Sequence, residues 1–211
     1  GTVLGIEKNP QSDEFFLTFE RLGDATNVRV EGGIEPLPVS ADAAPVSDIG
    51  IRMFDEINAS MAAATGVPAA NSDVFNTFTA VRQQLPSSNN IEGFLSSQQM
   101  GITQLAIEYC NVLIEDPALR SARFPGFDFS AAPGSAYAAA NRSALLDPLL
   151  VSTLQNGAGP VATQPDVTLV RGELNSLIDR LVVTGNDATR TRTIAKAACA
   201  SVLGSAAVML Q

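Results

Sequence analysis

The sequence predicts a mainly α-helical protein, a bundle of six or seven helices around one long central helix, with a small N-terminal antiparallel β element. Three observations support this fold class. Apolar residues recur every three or four positions through most of residues 49–211. Alternating apolar residues are confined to residues 2–31. A segment rich in proline and glycine separates the two patterns. We therefore predict a β-strand element at 1–31, a linker at 32–48 and a helical domain at 49–211.

The N-terminal element is predicted to be a meander of two strands and a third short one, TVLGIEK, FFLTFERL and NVRV. Three short strands cannot bury this much apolar surface alone. They either pack within the chain, or their edges complete a sheet of a preceding domain or a neighbouring subunit. The candidate contact residues for assembly are Val3, Ile6, Phe15, Leu17 and Phe19.

The first two helices are predicted to form a hairpin that leads into the central helix. The first covers residues 49–65, with Gly66 as its stop. Asn71 begins the second, which ends before Pro86. The predicted inward-facing residues of the pair are Ile49, Met53, Ile57, Met61, Val74, Phe78, Val81 and Leu85.

The central helix is predicted to run from Asn90 to Glu115, between an Asn89/Glu92 capping pair and the helix-ending Pro117. Two apolar stripes along it predict contacts on two sides. One stripe contains Ile91, Leu95, Gln98, Ile102, Leu105, Tyr109 and Val112, and the other contains Met100, Ile107 and Ile114.

The segment after Pro117 predicts a short helix through Arg123 and then an aromatic loop. Its phenylalanines, Phe124, Phe127 and Phe129, either fill the core or form a ligand-binding loop that reaches Tyr137.

Three further helices are predicted after this loop. The first covers residues 136–154 with an interruption at Asp147–Pro148, and Asp166 or Thr168 caps the second. Asp187 begins the last. Its small residues, including Ala200 and Gly204, allow close packing either in the core or at a subunit interface.

Composition excludes several classes of function. The chain has 22 acidic and 13 basic residues, a formal charge of -9, which disfavours nucleic acid as a partner. Histidine is absent, so histidine-dependent triads, zinc sites and haem ligation within the chain are excluded. The apolar run 197–210 is too short to span a membrane. Carboxylates in adjacent or nearby positions, at Asp55–Glu56, Glu115–Asp116 and Glu173 with Asp179, are interpreted as solvated surface groups.

We predict no enzyme activity and no catalytic, cofactor-binding or metal-binding residues. The segments GDATN and TGNDAT have calcium-ligand residue types without the spacing of a calcium loop, and calcium binding stays open.

Cys110 and Cys199 are the chain's two cysteines, each in a predicted helix. Three interpretations are open: a disulfide between the helices, two independent buried thiols, or a reactive thiol. A disulfide would fit an oxidising, exported setting.

Several blocks resemble the C-terminal region of large exported bacterial proteins that contain LamG, or concanavalin A-like lectin, domains. They include FFLTFERLG, SDIGIRMFDEINASMAAATGV, FPGFDF, LIDRL and ACASVLGSAAVMLQ. The resemblance implies an extracellular or cell-surface location and a β-rich upstream part, and it carries no assigned site residue. The expected role is a structural or adhesive surface module that contacts copies of itself or an upstream β-rich domain. The alternative is a module that binds a sugar or peptide.

Overall fold

The computed structural model describes residues 3–6, 15–18, 50–88, 90–155 and 166–210. The chain divides into two units, Gly1–Ser47 and Asp48–Gln211. In the first unit, β1 (Val3–Ile6) pairs antiparallel with β2 (Phe15–Thr18), with Ile6 opposite Phe15. The predicted third strand and Phe19 lie outside the described residues.

The described part of the second unit is mainly helical, which confirms the prediction of a mainly α-helical bundle, although it has nine α-helices where six or seven were predicted. Two 3₁₀ turns, Arg82–Gln84 and Ile91–Gly93, and a five-residue π-helix, Val151–Gln155, join its α-helices. The α-helices are α1 (Phe54–Thr65), α2 (Ser72–Val81), α3 (Ser96–Glu115), α4 (Pro117–Arg123), α5 (Pro133–Ala136), α6 (Arg142–Leu150), α7 (Val167–Val182), α8 (Ala188–Leu203) and α9 (Ala206–Met209).

Helix α3 is the centre of the bundle, as predicted. It packs against α1, α2, α4 and α8. At a rise of 1.5 Å per residue its 20 residues span about 30 Å, roughly the width of a small domain. Its buried side is formed by Gly101, Ile102, Leu105, Ala106, Tyr109, Cys110, Leu113 and Ile114.

The predicted start of the central helix was wrong. The Asn90 side chain accepts a hydrogen bond from the Glu92 N–H at 2.9 Å, but it caps a 3₁₀ turn. The regular helix begins at Ser96, where the Gln98 side chain accepts from the Leu95 N–H at 2.8 Å. Asn89 lies outside the described residues. The residue that caps this turn is therefore Asn90, and the predicted pair of Asn89 with Glu92 stays a prediction.

The second predicted stripe on this helix was also wrong for two of its three members. Met100 is 63% exposed and Ile107 is 51% exposed, whereas Ile114 is fully buried. Helix α2 and its following turn cover α3 near Gly101, and α8 covers it near Cys110. No element of the described residues covers the strip between these two contacts, so apolar spacing along it did not correspond to a second buried face.

Helix α1 begins at Phe54 and not at Ile49, because the residues before it pair with the C-terminal segment. Ile51 forms an isolated antiparallel β-bridge with Leu210. Met53, predicted to face inward, is exposed beside the helix start. Ile57 and Met61 are fully buried, as predicted.

The structure differs from the predictions on where two helices are interrupted. Helix α6 continues through Pro148, because the burial of its leucines outweighs the one hydrogen bond that proline cannot donate. The break falls instead at residues 137–141, before α6. The last helix was predicted to be continuous, but it ends at Gly204 and resumes as α9.

The capping predictions for the last two long helices are confirmed. Asp166 accepts a hydrogen bond from the Thr168 N–H, and Asp187 accepts one from the Arg190 N–H, each at 2.7 Å. These side chains satisfy amide groups that have no partner within the helix.

Candidate functional site

A shallow pocket lies where α4 meets the aromatic loop that follows it. Its volume is about 310 Å³, at the lower end of the range for ligand sites. The helix contributes Arg120 and Ser121, and the loop contributes Asp128 and Ser130 on its polar part. The remaining lining is formed by Pro117, Phe124, Pro125, Gly126, Phe127 and Phe129.

The three phenylalanines of this loop fill the core, which was the first of the two interpretations from the sequence. None of them is more than 7% exposed. Phe127 packs edge-on against Phe129, with ring centroids 4.8 Å apart, and it also contacts Tyr137 at 5.3 Å. Because the rings pack against one another, the pocket offers almost no aromatic face on which a sugar could stack.

Two charged groups of opposite sign lie in the pocket lining. One nitrogen of the Arg120 guanidinium donates to the carbonyls of Ile114 and Glu115, at 3.1 and 3.4 Å, while the group lies over the Phe129 ring. Asp128 is exposed, and its Oδ1 accepts from the Ser130 hydroxyl at 2.5 Å and the Ser130 N–H at 2.8 Å. These bonds lower the pKa of the Asp128 carboxyl, the hydroxyl bond most strongly. The site can therefore offer both a cation and an anion to a small polar ligand.

A second cluster joins α3 to α8. The sulfur atoms of Cys110 and Cys199 lie 2.01 Å apart, at disulfide distance, with their Cα atoms 5.8 Å apart. Both residues are buried in the core. The sequence-based disulfide interpretation is thus the one that the structure supports, and neither cysteine is a free thiol.

Polar groups extend this link at the surface. The Lys196 ammonium donates to Asn111 Oδ1 at 2.7 Å and contacts the Glu115 carboxylate at 2.6 Å, and Arg192 approaches the same carboxylate at 3.5 Å. The hydrogen bond from Lys196 holds the pKa of the Glu115 carboxyl below its ordinary value. Because the Glu115 side chain is 49% exposed, each ion pair contributes at most about 1 kcal/mol. We call these residues with the disulfide the α3–α8 brace.

Several of the predicted surface carboxylates lie at helix ends or in ion pairs, whereas Glu173 is exposed within α7. Glu56 accepts from the Met53 N–H at 2.8 Å, at the start of α1. Asp116 caps α4 by accepting from Ala118 and Leu119. Asp179 pairs with Arg142 at 2.5 Å and joins α7 to α6. These groups stabilise helix starts and contacts, and the structure brings them to no common pocket.

The assembly candidates occupy different places. Val3, Ile6, Phe15 and Leu17 lie in the two paired strands of the first unit. Ala200 packs against the core.

Gly204 lies against α3, where an added Cβ would meet the Ala200 carbonyl oxygen at 3.1 Å and the Ala106 Cβ at 3.7 Å. The close approach predicted from the small residues of α8 is therefore made within the chain.

Sequence reasoning missed a polar contact between α3 and α1. The Tyr109 hydroxyl donates to Asn58 Oδ1 at 2.6 Å, and burial raises the pKa of Tyr109 to about 12. A tyrosine on an apolar helical stripe signals that its hydroxyl needs a partner, but spacing alone does not identify Asn58.

Among the described residues, no group of three or more potential ligands converges in a way that could hold a metal ion. None of the helices in this same part of the chain combines the length and apolar character needed to cross a membrane. Comparison with protein-family models, with curated proteins and with solved structures finds no match.

Proposed function

We propose that this chain is a non-catalytic structural or adhesive module of a bacterial extracellular or cell-surface protein. The observation that carries the proposal is the α3–α8 brace, in which a buried disulfide fastens the central helix to α8. Structural disulfides persist in oxidising compartments and are rare in the cytosol, so the brace supports export.

The placement of the charged side chains supports a structural role. Asp116, Asp166 and Asp187 each cap a helix. Arg142 and Lys196 connect pairs of helices through carboxylates. Each of these contacts holds a helix in its position. The resemblance to the C-terminal region of exported LamG-domain proteins supports the same location.

We further propose that the module associates with copies of itself through its N-terminal strands. The described sheet has two strands of four residues each, β1 and β2, and a sheet of this size is marginally stable alone. Within the described residues neither outer edge pairs with a further strand, and such edges offer amide and carbonyl groups to another chain. We assign assembly to this element and not to Ala200 and Gly204, because those two residues pack against the core and α3 of their own chain.

The test compares the full chain with two substitutions in β2. The alternation in the sequence assigns Leu17 to the apolar set with Phe15 and Thr18 to the other set, so Leu17→Lys adds a charge to the apolar set and Thr18→Lys adds the same charge to the other. Light scattering with size-exclusion chromatography and negative-stain microscopy should show oligomers or filaments for the parent and for Thr18→Lys, and monomers for Leu17→Lys. A parent chain that is monomeric at every concentration would refute self-assembly.

A second candidate function is the binding of a short peptide or a small sugar through polar contacts in the pocket beside α4, since its buried rings offer almost no face for stacking. Arg120 and Asp128 give it one charge of each sign in a volume of about 310 Å³. Asp128→Asn removes the negative charge while it keeps an oxygen to cap the turn. Ligand titration followed by NMR should show shifts confined to residues 117–130 that weaken in this variant. The absence of any such shift with sugars and short peptides would remove this candidate.

A further inference from the structure

The helical unit is closed by a short contact between its first and last described residues, which we call the clasp. Ile51 bridges Leu210 in antiparallel orientation. The Arg52 N–H donates to the Met209 carbonyl at 2.7 Å, and the Arg52 side chain donates to the Leu210 carbonyl at 3.3 Å. Val208 and Met209, at the end of α9, are buried and anchor the C-terminal side of the clasp.

The direction of the clasp determines how it responds to force. Because the bridge is antiparallel, Arg52 and Met209 lie on one side of it, and tension that enters at Ile51 and leaves at Leu210 loads the contact from its other, open side. The described residues show one backbone hydrogen bond across the contact, from Arg52 to Met209, and one from the Arg52 side chain to Leu210. Hydrogen bonds of this kind have a net value of about 1 kcal/mol each, so these two give the contact little resistance to such tension.

The disulfide determines which part of the same unit carries tension. It connects Cys110 to Cys199 across a sequence separation of 89 residues. A force that enters at Ile51 and leaves at Leu210 passes along the chain to Cys110, crosses the sulfur bond and continues from Cys199. The intervening residues, which contain α4 to α7 and the pocket, are outside that covalent path.

We propose that the clasp and the disulfide form a two-stage device for tension. The clasp opens first at low force, and the disulfide then limits the extension and keeps residues 111–198 from being stretched. This proposal rests on the proposed function, because a structural or adhesive surface module is a chain on which tension acts.

The limit on extension follows from the sequence separation. A fully extended chain spans at most about 3.3 to 3.6 Å per residue, so a bridge over 89 residues removes about 300 Å of contour length. The first unit adds the same length in both redox states, so it cancels from the comparison.

The experiment is single-molecule force spectroscopy on the full chain, with handles at its two ends, in oxidising and in reducing buffer. The oxidised chain should extend about 300 Å less than the reduced chain. Arg52→Pro removes the amide hydrogen that bonds to Met209, and it should lower the force of the first rupture without changing the oxidised contour length. Arg52→Ala keeps that amide and should lower the force less.

Equal contour lengths in the two redox states would overturn the extension limit. A first rupture force that is unchanged in Arg52→Pro would overturn the clasp as the first stage. These outcomes are separate from the assembly test. If the chain is monomeric but its contour lengths in the two redox states differ by about 300 Å, self-assembly alone is refuted. If the chain assembles but the contour lengths do not differ, the two-stage device alone is refuted.

Discussion

Replacing both cysteines by alanine should lower the free energy of unfolding by about 4 to 5 kcal/mol. In the chain-entropy model, a cross-link stabilises the folded state by restricting the unfolded chain, and the size of the effect grows with the logarithm of the loop. The separation of 89 residues between Cys110 and Cys199 gives this value at 25 °C. Domains of this size have total stabilities of about 5 to 15 kcal/mol, so the double variant loses a large fraction.

Denaturant unfolding followed by circular dichroism measures this change. The oxidised parent should unfold at a higher denaturant concentration, and with a smaller slope, because its cross-linked unfolded state exposes less surface. The matched control is the parent in reducing buffer under denaturing conditions, which should behave like Cys110→Ala/Cys199→Ala. A difference below about 1 kcal/mol between the oxidised parent and the double variant would contradict the loop-closure reasoning.

Three further predictions concern single positions. Gly204→Ala should destabilise the protein by about 1 kcal/mol or more, because the added Cβ would lie 3.1 Å from a backbone oxygen. The control, Gly172→Ala, adds a Cβ in open space on α7 and should stabilise the protein by about 0.5 to 1 kcal/mol in the same unfolding assay. Glu115→Gln should cost less than about 1 kcal/mol at neutral pH. The pKa of the Glu115 carboxyl is lowered in the folded state, so its contribution to stability should be present above the ordinary pKa of 4.5 and disappear as the pH falls through the folded value. Thermal melts of the parent and of Glu115→Gln over a range of pH measure this contribution. A stability difference between the two proteins that persists in acid would contradict the prediction. Tyr109 and Tyr137 are the two tyrosines of the chain, and burial raises the pKa of Tyr109 to about 12 and raises that of Tyr137 as well. The native chain should therefore show almost no tyrosinate absorbance at pH 10. Half-titration of the tyrosines at that pH would refute the described burial.

The features that depend on local chemistry were predictable from the sequence. Asp166 and Asp187 cap helices because a carboxylate accepts from free amide hydrogens wherever the chain begins a helix. Of the predicted apolar stripe, Ile102, Leu105 and Tyr109 lie on the buried side of α3. Its first two members, Ile91 and Leu95, are exposed because they precede the helix, so the stripe was wrong there. The cysteine pairing was one of three open interpretations, and the geometry of packed helices selected it.

The features that depend on distant partners were not predictable from spacing. Met100 and Ile107 have the same spacing as buried residues, but no neighbouring element of the described unit covers that strip of α3. Ile51 was predicted to lie in the first helix, but it forms a bridge with Leu210 at the other end of the unit. Pro148 was predicted to break a helix, yet the burial of the surrounding leucines keeps α6 intact. In each case a tertiary contact, or the lack of one, determined the outcome.

The pocket was only partly predictable. The loop from Phe124 to Phe129 was marked by its aromatics, and the structure places these rings inside the core. The polar groups that give the pocket its character, Arg120 and Asp128, had no recognisable motif. Both residues line one pocket because the chain turns after α4, where Gly126 adopts a positive φ of 90° that other residues rarely adopt.

The adjacency of Ile51 and Leu210 makes the helical unit portable. A host protein could carry residues 51–210 between two neighbouring positions of a surface loop without moving the loop's ends apart. Grafting the unit into such a loop, with host activity and far-ultraviolet spectra as readouts, should preserve both folds. The same closeness means that a short peptide joining the two ends would give a circular chain with little rearrangement.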